Sequence, residues 1–202
     1  MLIDCVKVAR EVASNIKQDK EASEKQSTVA HSLTVAHSNH SFMNDPSQNL
    51  RTLLGDLIPE TAKHFWCYGN FNMMRLIFWI LEQTGPANII MSTYSISAKT
   101  IQGLLNRCED GRIQEFKIII DSRVRSLSPK PFEMMVNSFD YRCASIHAKV
   151  ACIYNDKWKI SIVSSQNATD NPKIERGTIY TIPEVFNFDK QALDDIFERS
   201  GT

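Results

Sequence analysis

Ser145–Gly177, SIHAKVACIYNDKWKISIVSSQNATDNPKIERG, sets two apolar strand-like runs about a polar turn and carries a row of chemistry-bearing side chains. His147 and Lys149 stand two residues apart, so on a strand both project to the same face. With Asn155-Asp156-Lys157 as the turn and Tyr154 opposite Trp158, His147 falls opposite Ser165 and Ser145 opposite Asn167. That register gathers His147, Lys149, Ser165 and Asn167 on one face, and a slip of one residue undoes it. A nucleophilic imidazole beside a fixed ammonium, a hydroxyl and an amide outlines a phosphate site. An HxK triplet alone is common by chance, and its other reading is a surface strand or a satisfied histidine.

The full set resembles the phospholipase D superfamily, whose signature is HxK, a downstream Asp, a GSxN-like segment and a later acidic residue. His147, Lys149, Ser165, Asn167 and Glu175 match it in order. Tyr154 occupies the position of the signature's Asp, with Asp156 two residues on, and is read as a local variation at a turn. Ser164 occupies the position of the glycine, which bears on how closely a phosphate can approach the backbone. The resemblance runs from about His64 to the C-terminus and is strong over Ser145–Gly177. It covers a chain of 202 residues, enough for one good core and a short appendage.

Basic and acidic residues balance at 23 each, so global charge points to no polyanionic partner. Gly111–Tyr180 holds 11 basic and 7 acidic residues, whereas the stretch from Thr181 onward holds 5 acidic and 2 basic. A mildly positive motif half suits a phosphodiester, and ordinary solvated faces show a similar excess. Five cysteines are widely spaced, with no CxxC and no Cys/His ligand spacing, which speaks against zinc. Most lie in apolar runs and read as small buried hydrophobes of a reducing compartment. No stretch has the core of a signal peptide or the length of a transmembrane helix. The expectation is a soluble, cytoplasmic protein without stable membrane insertion.

Along the chain, residues 1–20 place Leu2, Ile3, Val6, Val8, Ala9, Val12, Ala13 and Ile16 near helical spacing. Such an amphipathic helix packs on the main domain or serves a dimer or partner contact; both readings stand. Asp19–Gln48 is polar and reads as a linker, with His31, His37 and His40 either solvated or a metal site. The expected division is therefore 1–48, N-terminal helix and linker, and 49–202, a phospholipase D-like catalytic domain. A short helix over Leu50–Ile58 stops at Pro59. Strands follow at His64–Tyr68, Asn88–Thr93 and Phe116–Asp121, separated by helices at Phe71–Gln83 and Ser97–Cys108, the latter capped by Ser97. A helix at Pro131–Phe139, the motif hairpin, a strand at Ile179–Ile182 and an acidic helix at Lys190–Arg199 complete the chain. The fold class expected is α/β, a mixed, largely parallel sheet with helices on both sides. Arg123, Arg125 and Lys130 lie in a loop past a strand's carboxyl end, where they grip phosphates or form a solvated basic loop.

Only one HxK occurs, whereas the superfamily's reaction uses two. The resemblance therefore implies a homodimer sharing one composite site. It implies a phosphodiesterase without cofactor or metal, with nucleic acid as the first substrate class and phospholipid as the second. A third reading is a catalytically inactive nucleic-acid-binding or scaffold protein. In the active case His147 of one chain attacks phosphorus to give a phosphohistidine, and His147 of the second protonates the leaving oxygen. Lys149 and Asn167 hold the non-bridging oxygens, Ser165 donates a further hydrogen bond, and Glu175 orients an imidazole.

Overall fold

A computed structural model of the chain describes residues 31–35, 39–43, 50–69, 71–170 and 172–201, the first two as backbone. The expected helix over residues 1–20 lies outside these, as do the side chains of His31, His37 and His40.

Nine described strands form one sheet: β1 (His31–Val35), β2 (Asn39–Met43), β3 (Ala62–Tyr68), β4 (Ala87–Thr93), β5 (Ile113–Asp121), β6 (Asp140–Ala144), β7 (Lys149–Tyr154), β8 (Lys159–Ser164) and β9 (Ile174–Tyr180). Their order across the sheet is β2-β1-β3-β9-β8-β7-β4-β5-β6. Parallel pairing joins β4 to β5 and β5 to β6; the other neighbours are antiparallel. The mixed α/β class stands, but the balance is antiparallel rather than largely parallel. The reason is connection length: parallel neighbours need a long crossover, whereas the turn after β7 and the loop after β8 are too short for one. Within the expected linker, β1 pairs onto β3 and β2 onto β1, so the edge of β3 is satisfied by backbone hydrogen bonds whatever the side-chain polarity.

Six helices are described: α1 (Leu50–Leu54), α2 (Met73–Thr84), α3 (Ala98–Glu109), α4 (Val124–Leu127), α5 (Pro129–Val136) and α6 (Pro183–Arg199). Asn72 caps α2 by accepting from Arg75 N, and Gly85 ends it at φ 74°. Ser97 caps α3 in the same way through Thr100 N. The main core lies between one sheet face and α2, α3 and α5, built on Leu76, Ile77, Ile80, Ile101, Leu104, Ile118 and Ile120. On the other face Phe186, Leu193 and Phe197 of α6 cover Ile90, Ile119 and Cys152. Helices thus flank both faces, and the carboxyl ends of β3, β4, β5, β6 and β8 share one edge with the start of β7 and β9.

Candidate functional site

The motif hairpin closes one residue later than expected. Tyr154 pairs with Lys159 and Lys149 with Ser164, where the sequence reading set Tyr154 opposite Trp158 and His147 opposite Ser165. Asn155 accounts for the shift: its Oδ1 accepts from Lys157 N at 3.0 Å and Trp158 N at 2.9 Å, and its own N–H donates to the Trp158 carbonyl at 3.0 Å. The turn therefore holds four residues, Asn155 to Trp158, instead of three. His147 lies before the strand rather than in it, and the single shared face is lost.

The residues nonetheless converge at the sheet edge. Lys149 is 6 % exposed at the start of β7, while His147 is exposed beside it. Lys149 Nζ donates to the His147 carbonyl at 2.7 Å and lies 3.1 Å and 3.3 Å from Nδ1 and Nε2 of the ring. Ser92 fixes this segment, donating its hydroxyl to the Ala148 carbonyl at 3.1 Å and accepting from Val150 N at 3.3 Å. Burial lowers the Lys149 pKa, and the nearby Glu175 carboxylate opposes that shift. Glu175 belongs to β9, and Ser165 donates its hydroxyl to it.

Loop 165–170 is held from beneath. Buried Gln166 donates to the Phe71 carbonyl at 2.7 Å, and Ala168 N donates to Thr93 Oγ1 at 3.1 Å. The Ala168 carbonyl accepts from Thr100 Oγ1 at 2.8 Å and Ser97 N at 3.2 Å. Between these anchors sits Asn167, whose Oδ1 is buried without a hydrogen-bond partner among the described residues. Ser164, standing where the motif has glycine, faces Gly177 across the ladder. A Cβ on Gly177 would lie 2.9 Å from Ser164 Oγ and 2.3 Å from Phe65 Cζ, so the small residue required at this pair has moved to β9. Tyr154, at the motif's Asp position, ends β7 with its ring 5.7 Å from Phe186 of α6.

Tyr94 and Asp121, which the sequence did not single out, complete the surroundings together with the expected Arg123. Tyr94, just past β4, packs its ring 5.3 Å from the His147 ring. Arg123 lies over the outer part of the same cluster, its guanidinium carbon 4.9 Å from the Tyr94 centroid. Asp121, with its side chain 2 % exposed, accepts from Arg123 N at 3.0 Å, Arg123 Nε at 2.8 Å, Arg123 Nη2 at 3.2 Å and Ile146 N at 3.2 Å. Those bonds, the Arg123 side chain first, hold its pKa below the usual carboxylate range against the opposing effect of burial. The one visible sequence signal was a carboxylate ending an apolar strand; Tyr94 carried none. Arg125 instead reaches the Phe132 ring at 5.4 Å, and Lys130 is exposed in the first turn of α5. Among the described contacts neither joins His147.

No group of three or more His, Cys, Asp or Glu side chains is placed to hold a metal ion among the described residues. Nor does any described helix have the length and apolarity to cross a membrane. The arrangement offers an exposed imidazole, a buried ammonium beside it, a hydroxyl–carboxylate pair and an unpartnered amide carbonyl on one rim.

No family model matches this chain, and no curated protein does. Solved structures do. Nuc from Salmonella typhimurium, a phospholipase D family member, aligns with a TM-score of 0.51 at 20 % identity, covering 62 % of this chain and 88 % of that one. NucT from Helicobacter pylori aligns with a TM-score of 0.52 at 14 % identity, over 70 % of this chain and 99 % of that one. The fold they share with this chain is the phospholipase D-like α/β sandwich.

Proposed function

From a phospholipase D-like fold bearing His147 and Lys149 side by side at the sheet edge, we propose that this chain is a phosphodiester hydrolase, a nuclease whose site is completed by a second copy. The observation that carries it is the placement of Lys149 Nζ within 3.3 Å of both His147 ring nitrogens, on a rim shared with Ser165, Asn167 and Glu175. A buried ammonium supplies fixed positive charge where a phosphoryl oxygen gains negative charge, and needs no reorganisation to do so. His147 is exposed and so accessible to a ligand, whereas a structural histidine is ordinarily enclosed by its partners. Nuc supports the phosphodiester class by its fold family, and the cationic Arg123 beside Tyr94 suits an anionic strand.

In this mechanism His147 attacks phosphorus, the phosphorus–oxygen bond to the leaving group breaks, and His147 of the second copy delivers a proton to the departing oxygen. That second imidazole then takes a proton from water, which attacks the phosphohistidine and releases it. Lys149 and the side-chain N–H of Asn167 hold the non-bridging oxygens. Ser165 and Glu175 act as a pair, the carboxylate fixing the hydroxyl and opposing the loss of the Lys149 proton. In this reading the protein's own groups supply the charge, and the reaction is expected to proceed in EDTA.

The test uses the full chain with labelled single- and double-stranded DNA and RNA, and a phospholipid, each in EDTA. Cleavage of a nucleic acid is expected, with His147→Asn lowering turnover by roughly a thousandfold or more while unfolding and light-scattering profiles stay as in wild type. Rapid quenching should trap an acid-labile phosphorus adduct on His147. A stable His147→Asn protein with undiminished turnover would overturn the reading, as would activity that requires added magnesium.

A further inference from the structure

One face of the sheet is only half covered. α6 lies over β4, β5, β7 and β8, and no described helix covers the same face of β3 and β9. Cross-strand partners fix which side chains share that face: Tyr68 with Ile174, Trp66 with Arg176, His64 with Thr178, and Thr178 with Val163. Trp66 is 46 % exposed, Ile174 50 % and Val163 40 %, three of the six large apolar side chains exposed among the described residues. Exposed Arg176 lies among them, opposite Trp66, so the face is apolar with one cation in it. It lies on the opposite face from Lys149 and is no part of the rim described above.

The chain itself supplies an occupant. β1 begins at His31, which pairs directly with Trp66 one strand spacing away, about 4.8 Å, and thirty residues precede it in the sequence. At about 100° per residue, an α-helix over residues 2–16 gathers Leu2, Cys5, Val6, Ala9, Val12, Ala13 and Ile16 in an arc of about 120°. No polar residue falls inside that arc, and Asp4, Lys7, Glu11, Ser14 and Asn15 fall opposite. The helix would measure about 22 Å, matching the roughly 23 Å of β3. Residues 17–30 can span up to about 46 Å, enough to return the helix across the face.

We propose that residues 2–16 of this chain dock as an amphipathic helix on the open face of β3 and β9, beside α6, and complete the helical layer there. The apolar arc covers Trp66, Ile174 and Val163, and the polar arc faces solvent. This places the N-terminal segment behind the strand that carries Glu175, outside the proposed reaction, and the inference stands whether or not His147 is a nucleophile.

Ile174→Cys in the full chain puts a thiol in the patch, to be linked to the native Cys5 by a short bismaleimide in an equal mixture of unlabelled and nitrogen-15 chains. The expected product joins Cys5 to the thiol introduced at position 174, with both peptides of one isotope. Val6→Asp with Val12→Asp should cut its yield by about tenfold or more, whereas Lys7→Glu on the polar arc should not change it. Mixed-isotope pairs would overturn the proposal in favour of a second copy on this face. A yield indifferent to Val6→Asp and Val12→Asp would overturn it by showing random collision of a tethered segment. Absence of the crosslink, with Trp66→Ala abolishing oligonucleotide binding, would overturn it in favour of a nucleic-acid surface.

Discussion

Replacing Asp121 probes the support of the site without touching its chemistry. Its carboxylate is 2 % exposed and accepts four hydrogen bonds, of which the one from Ile146 N reaches the residue before His147. Asp121→Ala leaves that N–H, on a residue 9 % exposed, without its acceptor, which costs about 1–3 kcal/mol. Arg123 N lies on an exposed residue and regains water, so it adds little, and a total of about 2 kcal/mol is expected. Asp121→Asn keeps one acceptor oxygen and should lose less. The Asp121 pKa is held below the ordinary carboxylate value, chiefly by the hydrogen bond from the Arg123 side chain, so its folded-state value is depressed. Stability from this group is therefore complete above the ordinary carboxylate value and is lost as pH falls through the folded one. Urea unfolding of wild type, Asp121→Asn and Asp121→Ala from about pH 7 to about pH 3 measures this directly. The gap between wild type and Asp121→Asn should close toward acid. A gap independent of pH, or an Asp121→Ala protein within about 0.5 kcal/mol of wild type, would refute the reasoning.

At Gly177 an alanine Cβ would lie 2.3 Å from Phe65 Cζ, an overlap expected to cost about 1–3 kcal/mol in thermal or urea unfolding and to be relieved by Phe65→Leu. Glu175→Gln removes the carboxylate that raises the Lys149 pKa and leaves burial, which lowers it, so the alkaline limb of kcat/KM should move to lower pH. A limb that stays in place or moves upward in the pH–rate profile would break the assigned link between these two side chains.

Local pattern made most of the elements legible. Ser97 caps α3 as its position before an apolar-periodic run requires, and FKIIID reads as a buried strand because its apolar residues lack a polar alternate face. The hairpin β1–β2 was not legible, because hydropathy reports burial and this pair joins the sheet by its backbone ladder. Strand direction was hidden for a related reason. The short turn made the β7–β8 hairpin legible, but the apolar runs of β4 and β7 read alike whichever way they point, so their antiparallel pairing was not, and β9 showed only its apolar end at Ile179. In the site, His147 and Lys149 were visible as a motif and Asp121 as a carboxylate closing a strand. Tyr94 could not be found that way, since its contact with His147 joins residues 53 positions apart. The small residue opposite Ser164 was likewise out of reach, because pairing Gly177 with that position depends on the register between β8 and β9, strands joined by a nine-residue loop.

The register of the β7–β8 hairpin bears on why the proposed site survives an error that should have dispersed it. In a ladder, moving the pairing by one residue exchanges the two faces, and Lys149 and Ser165 then point to opposite sides of the sheet. The observed pairing of Lys149 with Ser164 does this. But His147, Ser165 and Asn167 lie outside the ladder, for β7 starts at Lys149 and β8 stops at Ser164. Past a strand's end the backbone is no longer bound to alternate, and direction is set by whatever holds each loop. Ser92 and Lys149 hold the His147 segment, Gln166 and Ala168 hold the Asn167 loop, and Arg176 N donates to Ser165 Oγ at 3.0 Å. Only Lys149 and Glu175 take their direction from strand parity, and both lie on the face of Gly177 and Ser164 or cross-pair with a residue there, Glu175 with buried Cys67. The rim is thus built by two in-register anchors and three loop residues tied to the core. Its geometry follows from where the strands end, and a slip in the turn at Asn155 changes the face of the ladder without moving those ends.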